Sequence, residues 1–451
     1  IVAQSTAAMH LYPDARTIIE IGGEDSKLIR VESDEEDEPR VADFAMNSAC
    51  AAGTGSFLDQ QASRFGLSIE EFSRLAQKST NPPRVAGRCS VFAKSDMIHL
   101  QQQGTPDYDI IAGLCMAMAR NFKSNLGKSQ EIERPVVFQG GVALNAAMVS
   151  SFKEVLDARD GQLIVPENPG CTGALGAVLS VINEGTDCGF EDLAPLRTHL
   201  DQTGHETERL ERLRDDGYEV ELDCHELPED ESVEAYVGVD IGSISTNVVV
   251  IDSEKRVIAR RYLMTEGRPI EAVKKGLYEA GQQVGGAVKV RGCCTTGSGR
   301  YLIGEFVGAD IVKNEITTHA RGAVSMDPTV DTIFEIGGQD AKYISLEDGA
   351  VVDFAMNKVC AAGTGSFLEE QAERLDLRIE EEFGHTALSS DEPVKLGERC
   401  TVFMESDLNY HQQQGVSTDD LVGGLCYSIV YNYLNRVVED RRVGDHIFFQ
   451  G

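Results

Sequence analysis

Acidic residues stand beside short glycine turns in this sequence, a combination that can bind phosphate and a divalent metal ion. In "VGVDIGSISTN", Asp240 ends an apolar stretch, Gly242 and Ser243 turn the chain, and Thr246 begins the next apolar stretch. Glycine lets backbone N–H groups approach an anion closely, hydroxyl groups add donors, and a carboxylate can hold hydrated Mg²⁺. Taken alone, this motif is equally consistent with an ordinary β-turn.

Two further motifs strengthen the phosphate interpretation. "EIGGQDAK" runs from Glu335 to Lys342, and its twin "EIGGEDSK" runs from Glu20 to Lys27. Each repeats the order strand, acid, Gly-Gly, acid and lysine, so two such turns facing each other would clamp phosphates between carboxylates. "FQGGVALN" (138–145) places Gly-Gly before a helix, whose N-terminus favours anions. Three glycine turns in this order are more specific than any one of them.

Cysteines form a second set of candidate ligands. Cys50 in "CAAGTGSFL" has a twin in Cys360, and Cys89 in "GRCSVF" has a twin in Cys400. Neither pair has the CxxC spacing of a zinc ribbon, and two thiolates do not complete a four-coordinate site. Two copies related by a pseudo-twofold axis would bring four thiolates together, which suits a Cys₄ zinc site or a [4Fe–4S] cluster. Four buried structural thiols are the third possibility.

The chain is a tandem duplication. "TIIEIGGEDSKLI" matches "TIFEIGGQDAKYI", "AGLCMAMARNF" matches "GGLCYSIVYNY", and "VVFQG" matches "IFFQG", in the same order and with nearly the same spacing. We expect copy 1 at residues 1–183 without its first subdomain, an acidic linker at 184–234, and copy 2 at 235–451 without its last elements. Within the linker, "HETERLERLRDD" predicts an exposed helix. On these boundaries we expect the sequence to be a piece of a longer protein in which neither copy holds a complete phosphate-binding site, and we expect it to be poorly active by itself.

Composition narrows the class of protein. With 451 residues, 41% hydrophobic and 25% charged, the chain can bury two or more cores. A formal net charge of −33 argues against a nucleic-acid or anionic-membrane partner, and no apolar run approaches the roughly 20 residues that span a bilayer. Eleven cysteines without a secretory context argue against a disulfide framework. We expect a cytoplasmic protein.

The elements that must position these residues follow from periodicity. "AYVGVDIGSISTNVVVIDS" predicts strand, turn and strand, and "TIFEIGGQDAKYISLEDGAVVDFAMN" predicts three strands joined by turns. "PIEAVKKGLYEAGQQVG", "GSFLEEQAERLDL" and "LVGGLCYSIVYNYLNRVVED" have helical spacing. Hairpins mixed with helices predict α/β domains.

The three glycine turns together resemble the acetate and sugar kinase, Hsp70 and actin superfamily, with its ribonuclease H-like ATPase domains. Within it, "GSISTN", "TGSGR", "NEITTHARGA", "IGGQDAK", "CAAGTGSFL" and "RCTVFMESD" resemble the BadF/BadG/BcrA/BcrD ATPase family, which includes the activators of 2-hydroxyacyl-CoA dehydratases. The resemblance covers both copies. The chain departs from the family pattern at Asn247, where lysine is frequent, and at Glu20 and Glu335, where aspartate is frequent; copy 1 also has Glu24 where copy 2 has Gln339.

The resemblance implies an ATP-dependent activase that passes a low-potential electron to an iron–sulfur dehydratase or reductase, with ferredoxin or flavodoxin as the electron donor. It implies one shared [4Fe–4S] cluster, ATP or ADP, and Mg²⁺ as cofactors. The expected cluster ligands are Cys50, Cys89, Cys360 and Cys400. The expected catalytic residues are Asp240, Glu335 and Asp340. The expected nucleotide ligands are Gly242, Ser243, Thr246, Gly337, Gly338, Gln339, Lys342, Gly22, Gly23, Asp25, Lys27, Gly140 and Gly141. A kinase of the same superfamily and a zinc-stapled regulatory ATPase are the alternatives.

Overall fold

Copy 1 builds one mixed sheet with helices around it. The computed structural model describes the chain except residues 34–38, 48–49, 86–88, 128–131, 186–191, 196, 199–207, 216–223, 228–231 and 358–359. The strands of copy 1 are β1 (Thr17–Ile21), β2 (Ser26–Ser33), β3 (Pro39–Asn47), β4 (Val136–Gln139) and β5 (Leu163–Ile164). The helices are α1 (Val2–Leu11), α2 (Gly55–Arg64), α3 (Ile69–Ala76), α4 (Ser90–Gln102), α5 (Asp107–Asn125), α6 (Ala146–Val155) and α7 (Thr172–Glu184).

The order of this sheet is β3-β2-β1-β4-β5. β1, β2 and β3 pair antiparallel, whereas β4 joins β1 in parallel and β5 joins β4 in parallel. All five residues of "TIIEI" in β1 are buried, as expected for a central strand covered on both faces. The carboxyl ends of β1 and β4 therefore lie side by side, each followed by one of the Gly-Gly motifs.

Copy 2 contains two sheets, which have the same strand order as far as they extend. The strands of the first sheet are β6 (Val233–Ile241), β7 (Ser245–Asp252), β8 (Val257–Met264), β9 (Val288–Thr296) and β10 (Ile311–Val312), in the order β10-β9-β6-β7-β8. The strands of the second sheet are β11 (Thr332–Ile336), β12 (Ala341–Glu347), β13 (Ala350–Met356) and β14 (Ile447–Gln450), in the order β13-β12-β11-β14. The helices are α8 (Pro269–Val284), α9 (Arg300–Val307), α10 (Glu315–Met326), α11 (Gly365–Arg374), α12 (Gly384–Ser389), α13 (Met404–Gln413) and α14 (Thr418–Tyr433).

The predicted α/β class and the duplicated, ribonuclease H-like organisation are confirmed. In both copies the antiparallel hairpin that carries the motif "EIGG" pairs in parallel, through its first strand, with the strand ending in Gln139 or Gln450. Local signals fix several helix starts: Ser68 and Glu71 form a capping box before α3, and Asn145 and Asn314 cap α6 and α10. Among the described helices, none combines the length and apolar character needed to cross a membrane.

The compact units of the chain do not coincide with the two sequence copies. One unit combines residues 1–210 with 392–421, and the other combines residues 211–391 with 422–451. The segment of copy 2 that carries Cys400 and α13 therefore packs into the unit built mainly from copy 1. A small cluster of buried side chains in this unit joins Ala51 of copy 1 to Cys400, Val402 and Phe403 of copy 2.

The helix predicted in the linker is wrong over its described part. Residues 208–215 are not helical, and residues 205–207 and 216 lie outside the described residues. Arg209 instead forms a β-bridge with Val394, and the backbone N–H of Leu210 donates to the carbonyl of Pro393 over 2.7 Å. An available backbone edge at 393–395 satisfies the peptide groups of this polar segment, so the helical charge pattern does not decide its conformation.

Candidate active site and cysteine loops

A buried ion pair lies at the centre of the candidate nucleotide site of copy 2. Glu335 and Lys342 are directly opposite each other in the antiparallel pair β11–β12, so their side chains share one face of the sheet. The Nζ of Lys342 lies 2.9 Å from the Oε2 of Glu335, and both side chains are 7% exposed. Burial raises the pKa of the Glu335 carboxyl, against the opposing effect of Lys342.

Asp240 belongs to the same group of charges. It lies near the end of β6, and its negative charge contributes to the raised pKa of Glu335. Burial raises the pKa of Asp240 itself, Lys342 lowers it, and Glu315 on α10 raises it. Gly297, in the motif "TGSGR", passes so close to Asp240 that a Cβ atom there would lie 2.4 Å from its Oδ1. The sequence motifs on β6, β11 and β12 are thus brought together, as predicted.

The two glycine turns of copy 2 touch each other. The N–H of Gly242 donates to Ser245 O over 2.8 Å, and the N–H of Gly337 donates to Asp340 O over 2.9 Å, closing two tight turns. A Cβ atom on Gly338 would lie 2.8 Å from Ile244, so glycine is what allows the contact. The facing turns that the sequence predicts are therefore adjacent.

The remaining predicted ligands of copy 2 occupy different depths. Ser243 and Asp340 are exposed in their turns, and Gln339 is half-buried. Thr246 is fully buried, and its hydroxyl lies 2.9 Å from that of Thr265, which donates to Gly242 O over 3.0 Å. Thr246 thus contacts the first glycine turn through Thr265, a residue after β8 that the motif "VGVDIGSISTN" does not contain.

Sequence analysis missed several polar side chains of this site. His319 on α10 is half-buried, and its Nδ1 lies 2.7 Å from the Nε2 of Gln450. Gln450 lies on β14 and pairs in register with Glu335 of β11. Burial lowers the pKa of His319 to about 4. Arg300 pairs with Glu315 over 3.0 Å and donates to the carbonyl of Gly297 over 2.9 Å. The signal available was "NEITTH", whose helical spacing faces His319 and Glu315 toward one end of the sheet.

Copy 1 repeats this arrangement with a lysine that pairs with two carboxyl groups instead of one. Lys27 lies 2.6 Å from Glu20 and 2.8 Å from Asp25. Burial works against its charged form, but the hydrogen bonds to Asp25 and Glu20 prevail and raise the pKa of Lys27. The N–H of Gly22 donates to Asp25 O over 2.9 Å, and Gly23 is exposed beside it. These four predicted nucleotide ligands of copy 1 are therefore grouped.

The third glycine motif of copy 1 lies against the same turn. Gly140 has a φ of +91°, and a Cβ atom there would lie 2.3 Å from the carbonyl oxygen of Ile21. Gly141 begins a short 3₁₀ turn, and the α-helix itself begins at Ala146, one turn later than the sequence suggested. Glycine is required at 140 by both its backbone conformation and the close approach of β1.

Three of the four predicted cluster ligands meet in one compact unit. The thiol of Cys50 lies within hydrogen-bonding distance of the thiol of Cys400, which together with burial raises the pKa of Cys50, and Cys89 is close enough to add to this effect. Cys89 and Cys400 are 3% and 1% exposed. No group of three or more His, Cys, Asp or Glu side chains has metal-binding geometry within the described part of the chain.

Cys360 lies in the other compact unit. It is half-buried, and the Nη1 of Arg436 lies 3.8 Å from its Sγ. The side-chain amide of Asn357 donates to the carbonyl of Cys360 over 3.1 Å and to the carbonyl of Gln339 over 3.1 Å. One asparagine therefore connects the cysteine loop to the backbone of the second glycine turn.

Each cysteine loop is also joined to its glycine turn through the helix that follows. In copy 2 the N–H groups of Gly365 and Ser366, at the start of α11, donate to the carbonyls of Gly337 and Gly338, each over 2.8 Å. In copy 1 the N–H groups of Gly55 and Ser56, at the start of α2, donate to the carbonyls of Gly22 and Gly23, each over 2.8 Å. These bonds use helix N–H groups that have no partner within the helix, so each glycine turn is joined directly to the start of its helix.

These features define an α/β protein with paired acidic glycine turns, and the comparison with known proteins places it in a family. The chain belongs to the BadF/BadG/BcrA/BcrD ATPase family, whose profile matches residues 1–181 and 237–451. The two matched segments correspond to the two copies of the repeat.

Known relatives carry related names. The chain is 35% identical over 177 residues to the 2-hydroxyisocaproyl-CoA dehydratase activator of Clostridioides difficile, covering 39% of this chain and 64% of that one. It is 38% identical over 169 residues to the activator of lactoyl-CoA dehydratase of Anaerotignum propionicum, covering 38% and 62%. A solved activator of the 2-hydroxyisocaproyl-CoA dehydratase from Clostridium difficile with bound ADPNP is 27% identical, with a TM-score of 0.43, covering 48% of this chain and 80% of that one. The matches to the first two thus span less than two thirds of those relatives.

Proposed function

We propose that the protein is an ATP-dependent iron–sulfur activase that transfers a low-potential electron to a 2-hydroxyacyl-CoA dehydratase or a related reductase. The observation that carries the proposal is the set of four 2.8 Å hydrogen bonds that join the Gly-Gly turns to the helices after Cys50 and Cys360. A nucleotide-binding turn fastened to a thiol-bearing loop is the connection that coupling of ATP hydrolysis to electron transfer requires. The names of the relatives as dehydratase activators support the partner class.

The nucleotide part of the proposal rests on the charge cluster of copy 2. Asp240, Glu335 and Asp340 would hold Mg²⁺ and orient the attacking water, while Lys342 offsets the buried negative charge. The backbone of Gly242, Gly337 and Gly338, with Ser243, would cradle the phosphates. Because the reaction needs little covalent chemistry from the protein, positioning and charge stabilisation supply most of the catalysis. Gly22, Gly23, Asp25, Lys27, Gly140 and Gly141 would act in the same way in copy 1.

The cysteine residues fit an iron–sulfur cluster in their chemistry. Cys50, Cys89, Cys360 and Cys400 would hold it. Three of them, Cys50, Cys89 and Cys400, lie near one another in one compact unit. Arg436 beside Cys360 supplies a positive charge and a hydrogen bond that favour a thiolate. The cluster supplies a one-electron carrier of low potential when bound. The protein's own part is to exclude water from buried Cys89 and Cys400 and to move the loops with the nucleotide state.

The partners follow from this chemistry and stay proposals. The electron acceptor would be the iron–sulfur component of a dehydratase or reductase, and the electron donor would be a ferredoxin or flavodoxin. A strongly acidic chain of net charge −33 would dock to these partners through local basic or apolar surface and not through overall charge attraction.

Anaerobic purification with metal analysis tests the proposal. We expect about four iron atoms and four sulfides per chain, and visible and EPR spectra that change when MgATP is added. Cys360→Ser should lose most of the iron, whereas Cys171→Ser, at an exposed helix start, should keep it. Zinc without charge-transfer absorption would instead favour a zinc-stapled ATPase. Phosphorylation of a sugar or acid by protein without iron would favour a kinase.

A further inference from the structure

His319 lies near the charged residues of the candidate nucleotide site of copy 2, and the proposed ATPase chemistry does not use it. Lys342 and Glu315 are the charged groups that act on His319, and the same two act on Asp240. The ring is held from one side by Gln450, whose Nε2 lies 2.7 Å from Nδ1. Gln450 in turn lies opposite Glu335 in the parallel pairing of β14 with β11, so the hydrogen bond holds His319 beside the strand that carries Glu335.

The other copy shows the same contact with a different side chain. Aligning Glu20 with Glu335 places Gln4 at the position of His319, and Gln139 at that of Gln450. The Nε2 of Gln139 donates to the Oε1 of Gln4 over 2.7 Å, the same separation as in copy 2. The duplication thus preserved a glutamine that donates to the side chain of the neighbouring helix, while the acceptor changed between carboxamide and imidazole.

The direction of this hydrogen bond decides the chemistry of the ring. An amide nitrogen only donates, so Nδ1 of His319 is the acceptor and carries no proton. The proton of the neutral ring is then on Nε2, which becomes a donor. In copy 1 the Oε1 of Gln4 is occupied by Gln139 and by the hydroxyl of Thr172 at 2.9 Å, and its Nε2 is the corresponding donor. In both copies the N–H group is therefore held by the neighbouring glutamine, which is buried Gln139 in copy 1 and half-buried Gln450 in copy 2.

We propose that His319 is a nucleotide-binding residue of copy 2, whose Nε2–H, held in place by Gln450, donates to an oxygen of the terminal phosphate of bound ATP. The inference rests on the proposed ATPase function. A neutral donor adds a hydrogen bond to the phosphate without changing the charge balance between Lys342 and the carboxyl groups of Asp240, Glu335 and Asp340. Burial keeps the ring neutral at pH 7, since it lowers the pKa of His319 to about 4.

Comparison of two nucleotides tests the inference in the full-length protein. The affinities for MgADP and for Mg-ADPNP, which retains the terminal phosphate, are measured by titration calorimetry for the wild type and for His319→Ala and His319→Gln. We expect His319→Ala to weaken ADPNP binding at least about tenfold and to change ADP binding less than about twofold. His319→Gln should restore most of the difference, because glutamine supplies the N–H donor that copy 1 uses.

The control and the opposing outcomes are separable. Thr317→Ala, an exposed position on the same helix, should leave both affinities unchanged. Equal loss of affinity for ADP and ADPNP in His319→Ala would mean a purely structural role. Unchanged affinity for both nucleotides would remove His319 from the site. Either result overturns the inference. A His319→Gln variant as weak as His319→Ala would also overturn it. A wild type that binds neither nucleotide would overturn the proposed function itself, and this inference with it.

Discussion

The thiol of Cys50 lies against the thiol of Cys400, although the two residues belong to different copies of the repeat. The contact is possible because residues 392–421 of copy 2 pack into the compact unit of copy 1, where Ala51 contacts Cys400. The matched cysteines of one copy are therefore not the pair that meets most closely. The proposed ligand set would therefore be shared between the copies because of this exchange, and not because of the spacing within either copy.

This cross-copy contact predicts a specific oxidation product. Mild oxidation of the metal-free protein with diamide should produce a peptide pair joined through Cys50 and Cys400, identified by mass spectrometry after digestion. Cys400→Ser should abolish that pair and, in iron-loaded protein, should lower iron content as strongly as Cys50→Ser. Cys171→Ser serves as the control and should change neither readout. A dominant link between Cys50 and Cys89 would contradict the observed pairing.

The extent to which sequence could predict the site depends on the residue. The motif "EIGGQDAK" fixed Glu335 and Lys342 on facing strands, because alternation and a Gly-Gly turn determine an antiparallel register locally. The hydroxyl of Thr246, in contrast, bonds Thr265, which lies beyond a strand that the motif does not include. Local patterns predict which backbone turns form, whereas the orientation of a buried hydroxyl depends on elements that arrive later in the chain.

The same distinction explains the other differences. His319 is a single residue on an amphipathic helix, so its contact with Gln450 requires the parallel pairing of β11 and β14 to be known. The linker around Arg209 has the charge pattern of a solvated helix. It pairs with Val394 instead, because hydrogen bonds to the backbone at 393–395 satisfy its peptide groups in place of helical hydrogen bonds. Duplication revealed the cysteines, but not which of them would meet.

Asn357 predicts a way to separate nucleotide binding from movement of the cysteine loop. Its amide donates to the carbonyls of Gln339 and Cys360, so Asn357→Asp replaces a donor with an acceptor facing two carbonyl oxygens. We expect the alkylation rate of Cys360 in metal-free protein, read by mass spectrometry, to differ between MgADP and Mg-ADPNP in the wild type. That difference should fall at least about fivefold in Asn357→Asp, since about 1–3 kcal/mol of hydrogen bonding is lost.

Asn47 provides the matched control in copy 1. Its amide donates to the carbonyls of Cys50 and Ala52, both in the cysteine loop, and among the described residues this amide makes no hydrogen bond to the glycine turn at 22–25. Asn47→Asp should disturb Cys50 while leaving the nucleotide response of Cys360 intact. If both variants abolish the response of Cys360, the coupling does not run through the bridge between Gln339 and Cys360.

The position of Gly297 beside Asp240 allows a steric test of the proposed metal-holding role of Asp240. Gly297 has a φ of +85°, and a Cβ atom there would lie 2.4 Å from the Oδ1 of Asp240. The same Cβ position is also 2.4 Å from the carbonyl oxygen of Ile241. Gly297→Ala must therefore displace the Asp240 side chain and the adjoining backbone, and we expect Mg²⁺-dependent ADP binding to weaken about tenfold or more. Gly308→Ala is the control, because Gly308 has a φ of +64° but nothing within 4 Å of its Cβ position. It should cost about 1–2 kcal/mol of backbone strain and leave nucleotide affinity unchanged.

The buried carboxyl group of Asp240 predicts that Asp240→Asn gains stability but loses nucleotide binding, and that the gain in stability depends on pH. Burial raises its pKa in the folded protein above the unfolded value, so the folded state holds the proton more tightly. The stability that this carboxyl contributes is present below its unfolded pKa of 3.8 and is lost as the pH rises through the folded value. Asp240→Asn removes that loss, so it should be more stable than the wild type at pH 7, with an advantage that shrinks toward acidic pH.

Denaturant unfolding of the nucleotide-free protein between pH 4 and pH 8, a range that begins near the unfolded pKa of 3.8, measures this difference. Asp340→Asn, which changes an exposed carboxyl in the neighbouring turn, should alter stability by less than about 0.5 kcal/mol across the same range. Asp240→Asn should also lose Mg²⁺-dependent nucleotide binding, because the neutral amide is a poor ligand for a hard cation. A variant that is less stable than the wild type at pH 7 would show that Lys342 already compensates the Asp240 charge in the empty site.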